Sequence, residues 1–274
     1  MKHPFFFFVF AFVNIGIFQH TFSYAQQTVQ EKSPSVEPVA DTLLMQMSEY
    51  LKSAERFTVR SQATFEKVFS GNQKIQYGET VQASVRRPDR LHVDIQGDLI
   101  NHRFRYDGKK ISMLDTNMNI YAAADAPADI DSMLRFAAQH FGITAPLADL
   151  VITDPYANLI QNVTSGTYVG LHTVHGIPCH HLAFTQENLD WQIWIEDGRT
   201  QVPRKLVITY KLAEGAPQYT ALLSDWNFSP HLPDSVFTFI APEDAEETEF
   251  LPLEKKVPEK IGSSHAADTD HSSQ

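Results

Sequence analysis

The sequence contains a single cysteine, Cys179, among 274 residues. One thiol cannot close an intramolecular disulfide, so packing alone must hold the fold. An unpaired thiol in an oxidising compartment is a liability unless buried, and burial is expected here. Positive charge is also scarce. The 22 Lys and Arg residues stand against 33 Asp and Glu, a net charge of −11. An acidic chain without a basic stripe argues against nucleic acid or an anionic membrane surface as a partner. Catalytic signatures are missing: there is no Gly-x-Ser-x-Gly elbow, no His-Glu-x-x-His helix and no Gly-rich phosphate loop. No enzyme activity and no cofactor are expected. No apolar run reaches the length of about 20 residues that a bilayer span needs.

The longest apolar run, Phe5 to Val13, stands at the start of the chain behind Lys2. Asn14 and Gly16 loosen it, Phe18 ends it, and Gln19 and His20 follow. Ser23 and Ala25 place small residues at the −3 and −1 positions of a cleavage site. This pattern predicts a secretory signal peptide over residues 1–25, cleaved after Ala25. No Cys follows the run, so a lipid anchor on the mature chain is not expected. The mature protein is expected to be soluble and periplasmic, not integral to a membrane. That location removes ATP, reduced nicotinamides and nucleic acid from its partners.

Residues 26–38 are polar and Pro-containing and read as a linker. Residues 246–274 lose the apolar pattern and read as a disordered tail, with too little burial to offset chain entropy. One domain is expected over 39–245. Two amphipathic helices stand out within it. Leu43, Leu44, Met47, Tyr50, Leu51 and Ala54 recur at spacings of three and four, with Asp41 or Thr42 as cap. Ile130, Met133, Leu134, Ala137, Ala138 and Phe141 repeat the pattern, with Asp129 and Asp131 in the first turn and Gly142 as the stop. Shorter helical pieces are expected near 146–151 and 154–161.

Nearly everything else alternates with period two. Phe57, Val59, Ala63 and Phe65 oppose Thr58, Arg60, Gln62, Thr64 and Glu66. Similar alternation marks Val81–Arg86, Leu91–Gln96 and Arg103–Tyr106. One apolar and one polar face describe an antiparallel sheet with one side in water. The second half is more apolar on both faces. Trp191, Ile193 and Ile195 oppose Trp194, and Leu206, Ile208 and Tyr210 oppose Val207. Leu222, Trp226 and Phe228 are expected on one side, with Leu223 on the other. Asp107-Gly108, His175-Gly176, Asp197-Gly198 and Glu214-Gly215 mark turns. The fold class is therefore mainly β (α+β). A curved antiparallel sheet or unclosed β-barrel of roughly ten or eleven strands, too many to lie flat, is covered by a few helices.

Five segments in series carry a resemblance: Pro88–Ile95, Gly176–Phe184, Asp190–Gly198, Pro203–Tyr210 and Leu223–Asn227. Together they resemble the predicted periplasmic proteins of domain-of-unknown-function family 2092. That family is similar in architecture to the periplasmic lipoprotein carriers LolA and LolB. The resemblance implies a curved sheet lidded by helices around an apolar cavity. It also implies a lipid, or the acyl chains of a lipoprotein, as ligand. The expected cavity residues are Phe57, Phe65, Leu91, Val93, Phe104, Tyr106, Leu134, Phe141, Trp191, Ile193, Leu206, Ile208, Tyr210 and Trp226.

Two other readings stay open. The core is fully packed and the protein is a structural or partner-binding module of the envelope, docking an acidic partner on Arg60, Arg86, Arg87, Arg103 and Arg105. Alternatively, His172, Cys179 and His181 bind a metal. Their residue types suit zinc or copper, but the spacing matches no metal signature, and no metal site is predicted. Adjacent Cys179 and His180 point to opposite faces of a strand and cannot pair as nucleophile and base.

Overall fold

The computed structural model describes residues 35–250. The predicted leader (1–25), most of the predicted linker and the tail from 251 lie outside the described residues.

The first helix, α1, spans Pro38–Lys52. It starts ahead of the expected cap at Asp41 or Thr42, because Pro38 fits a first helical turn whose N–H groups lack partners anyway. Six strands follow: β1 (Arg56–Phe69), β2 (Gln73–Arg86), β3 (Arg90–Gly97), β4 (Asn101–Tyr106), β5 (Lys110–Asp115) and β6 (Ile120–Asp125). The second helix, α2, spans Ile130–Phe141. The Asp129 side chain caps it by accepting from the Ser132 amide at 2.8 Å, and Gly142 ends it at φ +66°. A 3-10 turn at Ala148–Leu150 and the short helix α3 (Pro155–Ile160) lead into β7 (Ser165–Val174) and β8 (Ile177–Thr185). Then come β9 (Leu189–Glu196), β10 (Pro203–Tyr210), β11 (Gln218–Asn227) and the three-residue β12 (Glu246–Thr248).

All twelve strands form one sheet in the order β12-β6-β5-β4-β3-β2-β1-β11-β10-β9-β8-β7. Two antiparallel meanders meet where β1 pairs with β11, and only β12 runs parallel to its neighbour, β6. The order ends on β12 and β7, so the described sheet is unclosed.

Each meander has its own helix. Ala40, Leu44, Met47 and Leu51 of α1 pack on Leu182, Phe184, Trp191, Ile193, Leu206 and Ala221. Ile130, Met133 and Ala137 of α2 pack on Phe57, Val85, Leu91, Tyr106 and Ile111. Trp226 and Phe228 touch both clusters, with ring centroids 5.7 and 6.0 Å from Phe57.

The alternation of β11 departs from expectation. Leu223 faces inward and Leu222 outward, while Trp226 returns to the inward face. Asp225 takes a left-handed φ of +54°, and the β1–β11 register slips between Thr58 and Arg60. This bulge resets the parity of the strand.

The fold runs on past residue 245, where the sequence reading ends it. After β11 the chain crosses the outer face of the first meander. Phe237 is 0% exposed beneath Arg86, whose guanidinium lies 5.1 Å from the ring centroid and donates to the Leu232 carbonyl and Asp234. Phe239 meets Tyr121 at 5.1 Å. Residues 246–248, expected to belong to a disordered tail, form β12, and Phe250 stacks on Phe141 of α2 at 4.8 Å.

Candidate functional site

A cavity of about 240 Å³ lies between the sheet and its second roof. Its floor is made by inward residues of β1 to β5, from Phe57, Val59 and Ser61 across to Val93, Phe104 and Met113. Leu223 and Trp226 of β11 close the side facing the α1 cluster. Leu134 of α2 and the segment from Ile143 to Val151 form the roof. Two meanders sharing one curved sheet explain the space. α1 fills the curve of its own half, whereas over the cavity the cover is Leu134 of α2 and the 143–151 segment.

The lining is apolar apart from Ser61, His102 and Thr144. His102 Nε2 sits 3.5 Å from Asp115 Oδ2. The Met118 amide above all, with the Asn117 amide and the His102 ring, holds the Asp115 carboxyl below the usual carboxylate range. Ser61 belongs to the same inward row, with Val81, Ile95 and His102 as successive cross-strand partners. It is 2% exposed and its hydroxyl has no hydrogen-bond partner. The sequence reading passed over Ser61, although period two alone puts position 61 on the face of Val59 and Ala63.

Of the residues expected to line a cavity, Phe57, Leu91, Val93, Phe104, Leu134 and Trp226 do so. The others lie elsewhere. Trp191, Ile193 and Leu206 are in the solid core under α1, where Trp191 stacks on Phe184 at 4.2 Å, and Ile208 packs against that core. Phe65 stacks on Tyr77 at the far end of the β1–β2 hairpin. Tyr106 is sealed below α2, donates its hydroxyl to the Pro127 carbonyl, and has its phenol pushed up to about 12, chiefly by burial. Phe141 meets Phe250 outside the cavity. Tyr210 is 36% exposed at the end of β10. A sheet of two halves, one packed solid and one hollow, separates these groups, and strand parity carries no sign of which half is which.

A larger groove of about 510 Å³ lies against the same roof and shares Leu134, Ile143–Ala145 and Ala148 with the cavity. Its lining includes Asp131, Arg135, Asp149 and Asp154. Asp131 accepts from Thr153, Asp149 from Asn158, and Asp154 caps α3. The three aspartates are thus engaged within the chain, Asp154 also with Lys52 at 3.2 Å, so the smaller apolar cavity is the better candidate.

The histidine cluster divides between the two faces of β7 and β8. His172, Cys179 and His181 share the outer face. His172 Nδ1 and His181 Nδ1 are 3.1 Å apart, and His181 Nε2 is 3.0 Å from Gln192 Oε1. The His181 ring stacks on Trp194 at 3.9 Å, and Lys205 Nζ lies 4.5 Å from the centre of the Trp194 ring. Burial, above all, lowers the His181 pKa, and His172 and Lys205 lower it further. Cys179 is buried against the Ile177 carbonyl, and burial pushes its thiol up. His180 points inward to Tyr168 and Asp197. Among the described residues no three His, Cys, Asp or Glu side chains converge to hold a metal ion.

Three of the five arginines expected to form a docking face have partners within the chain. Arg86 is covered by the C-terminal strap, Arg87 donates to the Val151 carbonyl at 2.7 Å, and Arg103 pairs with Asp94 at 2.9 Å. Arg60 and Arg105 each bury a guanidinium Nε that has no hydrogen-bond partner. Of the five arginines expected to dock a partner, Arg86 is covered by the strap, which has no periodicity to announce it in the sequence.

A family model described as "Predicted periplasmic protein (DUF2092)" matches residues 40–251. The chain belongs to this family. The DUF2092 match spans the whole described sheet, α2, and all of α1 but its first two residues. No curated protein matches the chain. Among solved structures, the lipoprotein LppX of Mycobacterium tuberculosis is similar at 15% identity, covering 72% of this chain and 100% of that chain with a TM-score of 0.42. LprF of Mycobacterium bovis is similar at 14% identity, with 74% and 98% coverage and a TM-score of 0.41. A LolA-superfamily protein of Nitrosomonas europaea is similar at 10% identity, with 73% and 97% coverage and a TM-score of 0.39. These likenesses concern architecture alone. Among the described residues no helix is long and apolar enough to cross a membrane.

Proposed function

We propose that this DUF2092 protein is a non-enzymatic periplasmic binding protein that takes an apolar chain, from a lipid or a lipoprotein acyl group, into the cavity beneath α2. The observation that carries this reading is the cavity itself: an apolar space roofed by a helix and a loop, on a sheet whose other half is packed solid. Its volume of about 240 Å³ lies just under the range of about 300–1,000 Å³ for small-molecule sites and suits one chain, not several. Each methylene removed from water contributes about 0.8 kcal/mol, so a chain of about ten carbons gains roughly 8 kcal/mol before association costs of several kcal/mol. The predicted-periplasmic description of the family agrees with a ligand that needs shielding from water in transit.

The test is saturable binding of a fluorescent apolar dye to the wild-type chain and to Ala83→Phe. Ala83 lines the floor, and a phenyl ring there fills the space. The expected result is one site in the wild type and at least tenfold weaker binding in the variant, with the fold retained by circular dichroism. Equal binding by both proteins would place the dye elsewhere and remove the reading.

A further inference from the structure

Ser61 is buried, unpartnered and part of the cavity lining. Buried hydroxyls in folded proteins are ordinarily hydrogen-bonded. Here the inward neighbours along β1 are Val59 and Ala63, and the cross-strand partners are Val81 and Leu223. None offers a side-chain acceptor, and from Arg60 to Phe65 the backbone of β1 is paired with β11 on one side and β2 on the other. An alanine at this position would satisfy the packing without the cost of a lone hydroxyl. The group that Ser61 can serve is therefore a molecule inside the cavity.

The rest of the lining restricts what that molecule is. No Lys or Arg lines the cavity. A carboxylate or phosphate drawn in would lose its hydration without gaining a counter-ion. At the other end of the row, His102 Nε2 already faces the Asp115 carboxylate at 3.5 Å. Ser61 and His102 stand three strands apart, a span of about 14 Å at ordinary strand spacing. The cavity is thus an apolar trough with a hydroxyl donor buried at one end.

Resting on the apolar-chain reading above, we propose that Ser61 donates a hydrogen bond to a carbonyl oxygen of the bound chain. The cavity then selects an uncharged acyl ester or amide over both a bare hydrocarbon and a free fatty acid. Ser61 is the specificity-determining residue, and α2 with its following loop supplies apolar cover that does not discriminate between them.

The experiment is dye displacement from the purified chain by methyl laurate, tridecane and, at alkaline pH, laurate. Methyl laurate is expected to bind about tenfold more tightly than tridecane, the size of one net hydrogen bond, and laurate most weakly. Ser61→Ala should cost methyl laurate about tenfold and leave tridecane unchanged. Ser61→Thr, which keeps the hydroxyl, should keep the preference. The ligand-free Ser61→Ala protein should melt at or above the wild-type temperature, since no partner within the chain is lost. A clear drop in melting temperature, an equal loss for both probes, or no loss for the ester would each overturn the assignment. Equal binding of ester and hydrocarbon by the wild type overturns the Ser61 role alone. If neither displaces the dye from the wild type, the apolar-chain reading falls and the Ser61 role falls with it.

Discussion

Arg87 donates a 2.7 Å hydrogen bond to the carbonyl of Val151 and so ties the turn after β2 to the roof of the cavity. The adjoining Pro88 carbonyl accepts from the Ile130 amide at 2.9 Å, at the start of α2. One turn therefore anchors both ends of the roof. The guanidinium is buried enough that its pKa falls below the usual arginine value, with Asp131 opposing that fall.

Replacing Arg87 with Met keeps the aliphatic stem and removes the donor. A hydrogen bond from a charged donor contributes about 1.5–3 kcal/mol, and a loss of that order is expected in urea unfolding. Hydrogen exchange should speed up in 143–151 before it does in β1. Unchanged exchange in that segment would show that Arg87 does not brace the roof.

The C-terminal strap is part of the fold. Phe237 is fully buried under Arg86, so Phe237→Ala is expected to cost about 3–5 kcal/mol, as for other buried aromatic truncations. Thermal unfolding measures this directly. A variant within experimental error of the wild type would mean that the strap is not held on the outer face.

His181 makes stability depend on pH. Its pKa is lowered in the fold, so the unfolded chain takes up the proton first as pH falls. Its contribution is intact above the ordinary histidine value of about 6.5 and is lost as pH drops through that value toward the lower folded one. His172, Lys205 and Gln192 face the ring and set this balance. Denaturant unfolding at about pH 7.5 and 5.5 should show a smaller acid loss in His181→Gln than in the wild type. His92, half-buried and with a pKa lowered chiefly by that burial, leaves a residual slope in the variant. An identical slope in both proteins would show that His181 is not held neutral.

Much of the sheet was legible from period two, and α2 from its spacing, its Asp129 cap and its Gly142 stop. These are local signals that tertiary contacts did not override. What stayed hidden depended on distant geometry. The Asp225 bulge reversed Leu222 and Leu223 without altering their polarity. The Phe237–Phe250 strap has no repeat, because it follows the relief of the sheet instead of forming an element. The division between a solid half holding Trp191 and Leu206 and a hollow half holding Val93 and Phe104 follows from the unequal roofs. Inward residues of both halves look alike in sequence. Ser61 was concealed by its polarity, although its position in the strand pointed inward.

Native mass spectrometry of the protein isolated from the cell envelope without detergent exchange tests the central claim most directly. A chain-bearing species should remain bound, at one per protein, and should be absent from Ala83→Phe prepared in the same way. Wild-type protein that carries the bare chain mass in every preparation and cannot be loaded by added acyl ester would contradict an apolar-chain carrier.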